Sequence, residues 1–288
     1  MEAAIIKAFT YENKGGNGAG VLVLDEQISN DKKQEIAYKI GLSETAFIFK
    51  QNDKDYDLSF FTPLCEVDLC GHATIAAFYY LGKTGHIKGF NETRTVFQNT
   101  RAGRLKIEIT FKNEDVEYVL MQQSEPHIYG ELKDKLQIAK SLGMDESSIG
   151  LPDCDINPTI VSTGLKDILI PVVSRDVLNN IKAEFKMIED ISNENDVVGY
   201  HVFTIEEGIV YARNFAPSVG INEECATGTS NGALGSLLYS KGFSNQMEVI
   251  QGEAMNQKSL IYVKVDNNNG IINVYVGGKA YIEDYIKI

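Results

Sequence analysis

Positive charge is scarce in this chain: 27 lysine and arginine residues stand against 40 aspartates and glutamates, a net charge of −13. A nucleic-acid-binding protein needs a basic footprint for phosphate, and none is visible. The same imbalance means that an anionic substrate must be held by local donors, because the overall field repels it. Long apolar runs are also missing. Nothing approaches the ~18 residues that suggest a membrane span. The opening Met1-Glu2-Ala3-Ala4-Ile5 lacks the basic-then-apolar pattern of a signal peptide, so no membrane association is expected. Cysteine is sparse, with Cys65, Cys70, Cys154 and Cys225 among 288 residues. They offer neither a disulfide framework nor a C-x-x-C pair, and a cytoplasmic location is the natural reading. His72, His86, His127 and His201 are scattered without H-x-x-x-H spacing, so no metal site is expected. Gly15-Gly16-Asn17-Gly18 lacks the context of a phosphate loop, and no organic cofactor is expected either.

What is present is enough apolar residue, 43% of the chain, for one large core or two medium ones. Strand-like runs dominate. Ile5–Thr10, Gly20–Leu24, Ala46–Lys50 and Asp57–Thr62 read as strands, as do Thr93–Asn99, Leu105–Phe111 and Val116–Met121. Asp31–Ile40, Gly71–Leu81 and about Glu131–Leu142 read as helices. After the turn-rich Gly150-Leu151-Pro152-Asp153 the pattern restarts: strands, a helix at Val177–Phe185, a hairpin at Tyr200–Thr204 and Gly208–Phe215, and a small-residue helix over Ala226–Ser240.

The restart carries a repeat. Phe61-Thr62-Pro63 leads through acidic residues to Cys70-Gly71-His72-Ala73-Thr74, and Phe215-Ala216-Pro217 leads to Cys225-Ala226-Thr227-Gly228-Thr229. The Phe-to-Cys gap is 9 in one copy and 10 in the other, and the cysteines lie 155 residues apart. Two similar domains, each presenting a cysteine at a helix N-terminus, would account for this. Such a terminus offers unpaired N–H donors and a positive dipole end, so it binds carboxylates. The following small residues let a ligand approach the backbone, and the same dipole favours thiolate. For Cys70 and Cys225 a reactive and a merely buried role are both open; Cys65 and Cys154 read as small core residues. His72 could be a ligand donor or a satisfied surface residue, and Asn17 a binding or a turn residue. Glu44 precedes an apolar strand. A carboxylate pushed toward an apolar pocket would have a raised pKa suited to proton shuttling, although glutamates at strand starts are mostly solvated.

Four blocks follow one another from residue 9 to residue 229: Phe9-Thr10 with Gly16-Asn17-Gly18-Ala19-Gly20-Val21-Leu22-Val23-Leu24, then Leu42-Ser43-Glu44-Thr45-Ala46-Phe47, then the Phe61–Thr74 and Phe215–Thr229 segments. In this order they resemble the phenazine-biosynthesis PhzF-like family of the diaminopimelate-epimerase and proline-racemase superfamily. The resemblance implies an α+β fold of two similar domains, each a half-closed mixed sheet wrapped around a central helix, with the active site in the cleft between them. The division is expected at 1–118 and 119–288, with the last strand free to return to the first domain. The resemblance also implies a cofactor-independent isomerase acting on a small carboxylate-bearing substrate, often as a homodimer. Glu44 would be the acid/base. Asn17, His72 and Thr229 would contact substrate, Glu224 would replace the family's aspartate, and the Gly71-His72 and Gly228-Thr229 backbone would hold the carboxylate.

One departure opens a second mechanism. Glu224-Cys225 stands where the family usually has Asp-Pro, and Cys225 and Cys70 fall where the related racemases carry their two catalytic thiols. An amino-acid racemase or epimerase using Cys70 and Cys225 is therefore the rival to Glu44. A non-catalytic carboxylate-binding protein on the same fold is the third reading.

Overall fold

The computed structural model describes residues 2–288. In chain order the elements are β1 (Glu2–Ala8), β2 (Asn17–Leu24), α1 (Asn30–Ile40), β3 (Glu44–Lys50), β4 (Asp55–Phe61), β5 (Glu66–Val67), α2 (Gly71–Lys83), β6 (Thr93–Thr100), β7 (Gly103–Lys112) and β8 (Asp115–Gln122). They continue with β9 (His127–Glu131), α3 (Lys135–Ser141), β10 (Thr159–Ser162), β11 (Lys166–Pro171), α4 (Arg175–Asn180), α5 (Phe185–Glu194), β12 (Gly199–Glu206), β13 (Ile209–Ala216) and β14 (Ile221–Glu224). The chain ends with α6 (Gly228–Ser240), β15 (Gln246–Gln251), β16 (Ser259–Asn268), β17 (Ile271–Gly278) and β18 (Ala280–Lys287). It forms two compact units. One comprises Met1–Gln122 with Gly277–Ile288, the other Gln123–Val276, so the second boundary falls within β17. No helix among the described residues is long and apolar enough to cross a membrane.

In the first unit β1 pairs antiparallel with β18 and β2. β2 runs parallel to β3 across the α1 crossover, and β3 pairs antiparallel with β4. β4 pairs antiparallel with β5 and parallel with β6 across α2, and β6, β7 and β8 follow antiparallel. The sheet wraps α2, which packs against β1, β2, β3, β7, β8 and β18. A helix enclosed on so many sides must be apolar nearly all round, and Ala73–Tyr79 are buried without interruption.

The second unit repeats this topology. β10 and β11 are antiparallel, β11 is parallel to β12, and β12 is antiparallel to β13. β13 pairs antiparallel with the short β14 and parallel with β15 across α6, and β15 pairs with β16. α6 packs against β10, β11, β12 and β16, and its residues 230–238 are buried. The two Phe-x-Pro segments thus sit in equivalent places, each leaving a hairpin strand and entering the central helix.

Two helices differ from the sequence expectation. The segment expected as a helix from Glu131 is strand up to that residue, because β9 is paired with β10. The helix begins only at Lys135, where the Asp134 carboxylate accepts from the Gln137 N–H and sets the cap. The helix expected over Val177–Phe185 is broken in two at Ile181, whose ψ of 130° is extended. The cause lies far along the chain. The buried Arg213 guanidinium takes the carbonyls of Leu178 (3.1 Å) and Ile181 (3.2 Å), which a continuous helix would spend internally.

Candidate active site

In the first unit the approach to Glu44 is set by a helix end. Gly41 closes α1 in the left-handed region, φ 69°, and its N–H reaches the Ala37 carbonyl at 3.0 Å. A residue with a Cβ adopts that conformation at a cost, so the turn that delivers Ser43 and Glu44 to the start of β3 favours glycine. Glu44 lies opposite Ala19 of the parallel β2, and Asn17 begins that strand at the same end of the sheet. Beyond β4 the Thr62 hydroxyl accepts from the backbone of Leu64 (3.1 Å) and Cys65 (3.0 Å), tightening the turn that leads to α2. Cys70 is the extended cap residue of α2, and its side chain closes none of the helix N–H groups.

These elements bring Glu44, Cys70 and His72 together. Glu44 Oε2 is 3.1 Å from His72 Nε2, with the side chains 20% and 14% exposed respectively. Cys70 Sγ lies 3.5 Å from His72 Nδ1 and 3.9 Å from Nε2, and Ser43 Oγ lies 3.4 Å from Nε2. Although close to the imidazole, Glu44 Oε2 is off the ring N–H axis: the oxygen is buried and receives no aligned donor.

The electrostatics correct one expectation. Burial alone raises the Glu44 pKa, as the sequence reading supposed, but the neighbouring His72, helped by Ser43 and Cys70, outweighs it and leaves the pKa lowered. Burial pulls His72 down, yet Cys70 and Glu44 outweigh that and hold it well above the ordinary histidine value. Both shifts favour the carboxylate and imidazolium forms of the pair. The two contributions to stability have opposite pH limits. That of His72 is complete below its unfolded pKa and disappears as pH rises through the raised folded value. That of Glu44 is complete above its unfolded pKa and disappears as pH falls through the lowered one.

In the second unit Glu224 ends β14, and Cys225 follows, 4% exposed, its Sγ 3.9 Å from Glu224 Oε1. Gly252, φ 79°, packs against Cys225 so closely that an added Cβ would lie 2.9 Å from both the Cys225 Cβ and its carbonyl oxygen. Thr227, not Cys225, is the residue capping α6, and its side chain also leaves the helix N–H groups unclosed. Gly228 and Thr229 form the first turn. The Thr163 hydroxyl donates to the Thr229 carbonyl at 2.9 Å.

Side chains that the sequence reading did not single out hold this segment in place. The buried Gln251 amide donates to the Glu224 carbonyl (2.7 Å) and accepts from Asn231 (2.8 Å) and from the Thr227 hydroxyl (3.1 Å). Asn231 meets His201 Nε2 at 3.1 Å, and burial pushes His201 down to about 4. The first unit has a counterpart: the Thr74 hydroxyl donates to the buried Gln98 at 3.1 Å. Thr74 and Asn231 are each three residues into their helix, and Gln98 and Gln251 are each sixth in the following strand. Val96-Phe97-Gln98 and Val249-Ile250-Gln251 are the signal that could have revealed them.

Beneath α6, burial raises the Asp167 carboxyl to about 7, opposed only in part by the Ser230 hydroxyl. The folded value lies above the unfolded one, so the stability Asp167 contributes is complete at low pH and is lost as pH rises from ~4 to ~7. Asp167→Asn stays neutral throughout. It is expected to melt several degrees above the wild type at pH ~8, with the difference shrinking toward pH ~5; equal melting temperatures at pH ~8 would contradict the assignment.

The family model described as phenazine biosynthesis-like protein matches residues 6–284. An uncharacterized isomerase of Clostridium acetobutylicum is 33% identical over 293 residues, covering 96% of this chain and 94% of that protein. The crystal structure of a PhzF-family phenazine biosynthesis protein from Bacillus anthracis superposes with a TM-score of 0.84 at 25% identity, covering 100% of this chain and 98% of that one. A probable proline racemase from Agrobacterium radiobacter shares the fold alone, with a TM-score of 0.66 at 11% identity over 100% of this chain and 92% of that one. The chain belongs to the phenazine biosynthesis-like, or PhzF, family and is an isomerase.

Proposed function

We propose that this isomerase moves a proton between two carbons of a small carboxylate-bearing substrate, with Glu44 as the group that takes and returns it. The observation that carries the reading is the Glu44 carboxylate, 20% exposed, held 3.1 Å from His72 Nε2 at the N-terminus of α2. The C–H bond breaks toward Glu44, the electron pair delocalises into the substrate, and the newly formed carboxylic acid gives the proton to a different carbon. Substrate and product have the same composition, and no oxidant is consumed. The His72 imidazolium holds the base ionised before the step and stabilises negative charge on the substrate during it. The unclosed Gly71 and His72 N–H groups are suited to the substrate carboxylate, supplying locally the attraction that a chain of net charge −13 lacks globally. Gly228 and Thr229 at the start of α6 offer the same chemistry. A carboxylate and an imidazole suffice for this chemistry, so the reading needs no cofactor.

The thiol pair is the second reading, favoured by the placement of two buried cysteines, neither in a disulfide, just before the equivalent helices α2 and α6. A panel of unsaturated carboxylates and of single-enantiomer amino acids incubated in D2O, followed by proton NMR, separates the two. The Glu44 mechanism is expected to give an isomer whose double bond has moved. Deuterium at Cα with inversion, lost in both Cys70→Ser and Cys225→Ser, would transfer the chemistry to the thiols.

A further inference from the structure

We infer that Gln251, at the end of β15, is a positioning residue for the isomerase: it holds the Thr227 hydroxyl away from the first N–H groups of α6 and so keeps them open for the substrate carboxylate. The effect on binding rests on the reading above that the start of α6 takes that carboxylate; the restraint on Thr227 does not. A threonine before a helix ordinarily folds its hydroxyl back to accept from the second or third helical N–H. The Thr227 backbone is set for this, with the extended φ of −124° and ψ of 131° of a cap residue, yet its side chain closes none of those groups. The hydroxyl is turned the other way. It donates to Gln251 Oε1 at 3.1 Å, and the Thr227 N–H reaches the same oxygen at 3.3 Å.

The Gln251 amide is itself held. It is fully buried, its Nε2 donates to the Glu224 carbonyl at 2.7 Å, and its Oε1 also accepts from Asn231 Nδ2 at 2.8 Å. Asn231 is oriented in turn. Its Nδ2 donates to the Thr227 carbonyl at 2.7 Å as well, which leaves Oδ1 to accept from His201 Nε2 at 3.1 Å. His201 therefore carries its proton on Nε2, and its Nδ1 accepts from the Asn214 amide at 3.3 Å. Side chains of β12, β13 and α6 thus fix one amide oxygen beside Thr227. Room for a ligand remains at the helix start: among the described residues, no atom beyond its own stretch of chain lies within 4 Å of where a Cβ on Gly228 would sit. The first unit has no need of the device. Its cap residue is Cys70, whose thiol is a weak acceptor, and the equivalent Gln98 uses its amide on Thr74 and on Met121 Sδ.

Gln251→Met keeps the length of the side chain and removes the acceptor, which frees the Thr227 hydroxyl to cap α6. On a substrate identified in the panel, KM is expected to rise about 5-fold, the scale of one capping hydroxyl, with kcat within ~2-fold, because the contact is made alike in the ground and transition states. Adding Thr227→Val removes the competing hydroxyl and is expected to return KM to near the wild-type value, which a merely loosened turn would not do. An unmoved KM in Gln251→Met, or a raised KM that the double variant does not recover, would overturn the inference. Should Gln251→Met not fold, hydrogen exchange of the ligand-free wild type decides: the Thr229 and Ser230 amides are expected to exchange as fast as exposed loop amides, and protection there would mean that the helix is already capped. Thr227→Asp, whose carboxylate is repelled by Gln251 Oε1 and turns to the helix, tests the carboxylate reading separately. A raised KM there beside an unmoved KM in Gln251→Met would leave that reading standing and remove the role of Gln251. An unmoved KM in Thr227→Asp would overturn the reading of α6 and the inference with it.

Discussion

Glu44→Gln is expected to lower turnover at least ~100-fold while leaving the protein folded, the usual scale for losing a positioned acid/base. Glutamine keeps the shape of the side chain and its place at the start of β3, but has no carboxylate to take a proton. The substitution also leaves His72 without its counter-charge in a buried setting, so some stability is expected to be lost with the activity. Melting temperature and steady-state rate, measured on the same preparation, separate a chemical defect from a folding one. A near-wild-type rate would move the proton transfer elsewhere.

His72→Gln is the second large effect, and its diagnostic is a pH profile. In the wild type His72 is the main influence lowering the Glu44 pKa against burial. Without the imidazolium, burial dominates and the Glu44 pKa rises. The fraction of ionised base at a given pH falls, so the acidic limb of the kcat profile should move to higher pH. Loss of the positive charge beside the reacting carbons should also cost at least ~10-fold at the optimum. A rate reduction with an unmoved acidic limb would mean that His72 only packs against the site.

Much of this architecture was visible in the residues because it is written locally. The strand–turn–helix passages from Phe61 to Cys70 and from Phe215 to Cys225 repeat in sequence, and they repeat in the fold as β4–β5–α2 and β13–β14–α6. What escaped depends on partners distant in the chain. The break at Ile181 needs Arg213, 32 residues later. The direction of the Glu44 pKa shift depends on His72, 28 residues later and on another element, so a reading confined to the strand start saw burial and missed the compensating charge. Gln98 and Gln251 were overlooked because a glutamine inside a strand carries no motif by itself. Their meaning comes from Thr74 and Asn231 on the helices they hold.

The most direct test of Glu44 as the proton-transferring group is deuterium uptake from D2O into a substrate identified in the panel, followed in parallel for wild type, Glu44→Gln and Cys225→Ser. Uptake is predicted to proceed in the wild type and in Cys225→Ser and to fall at least ~100-fold in Glu44→Gln. Undiminished uptake in Glu44→Gln, with uptake abolished in Cys225→Ser, would contradict it.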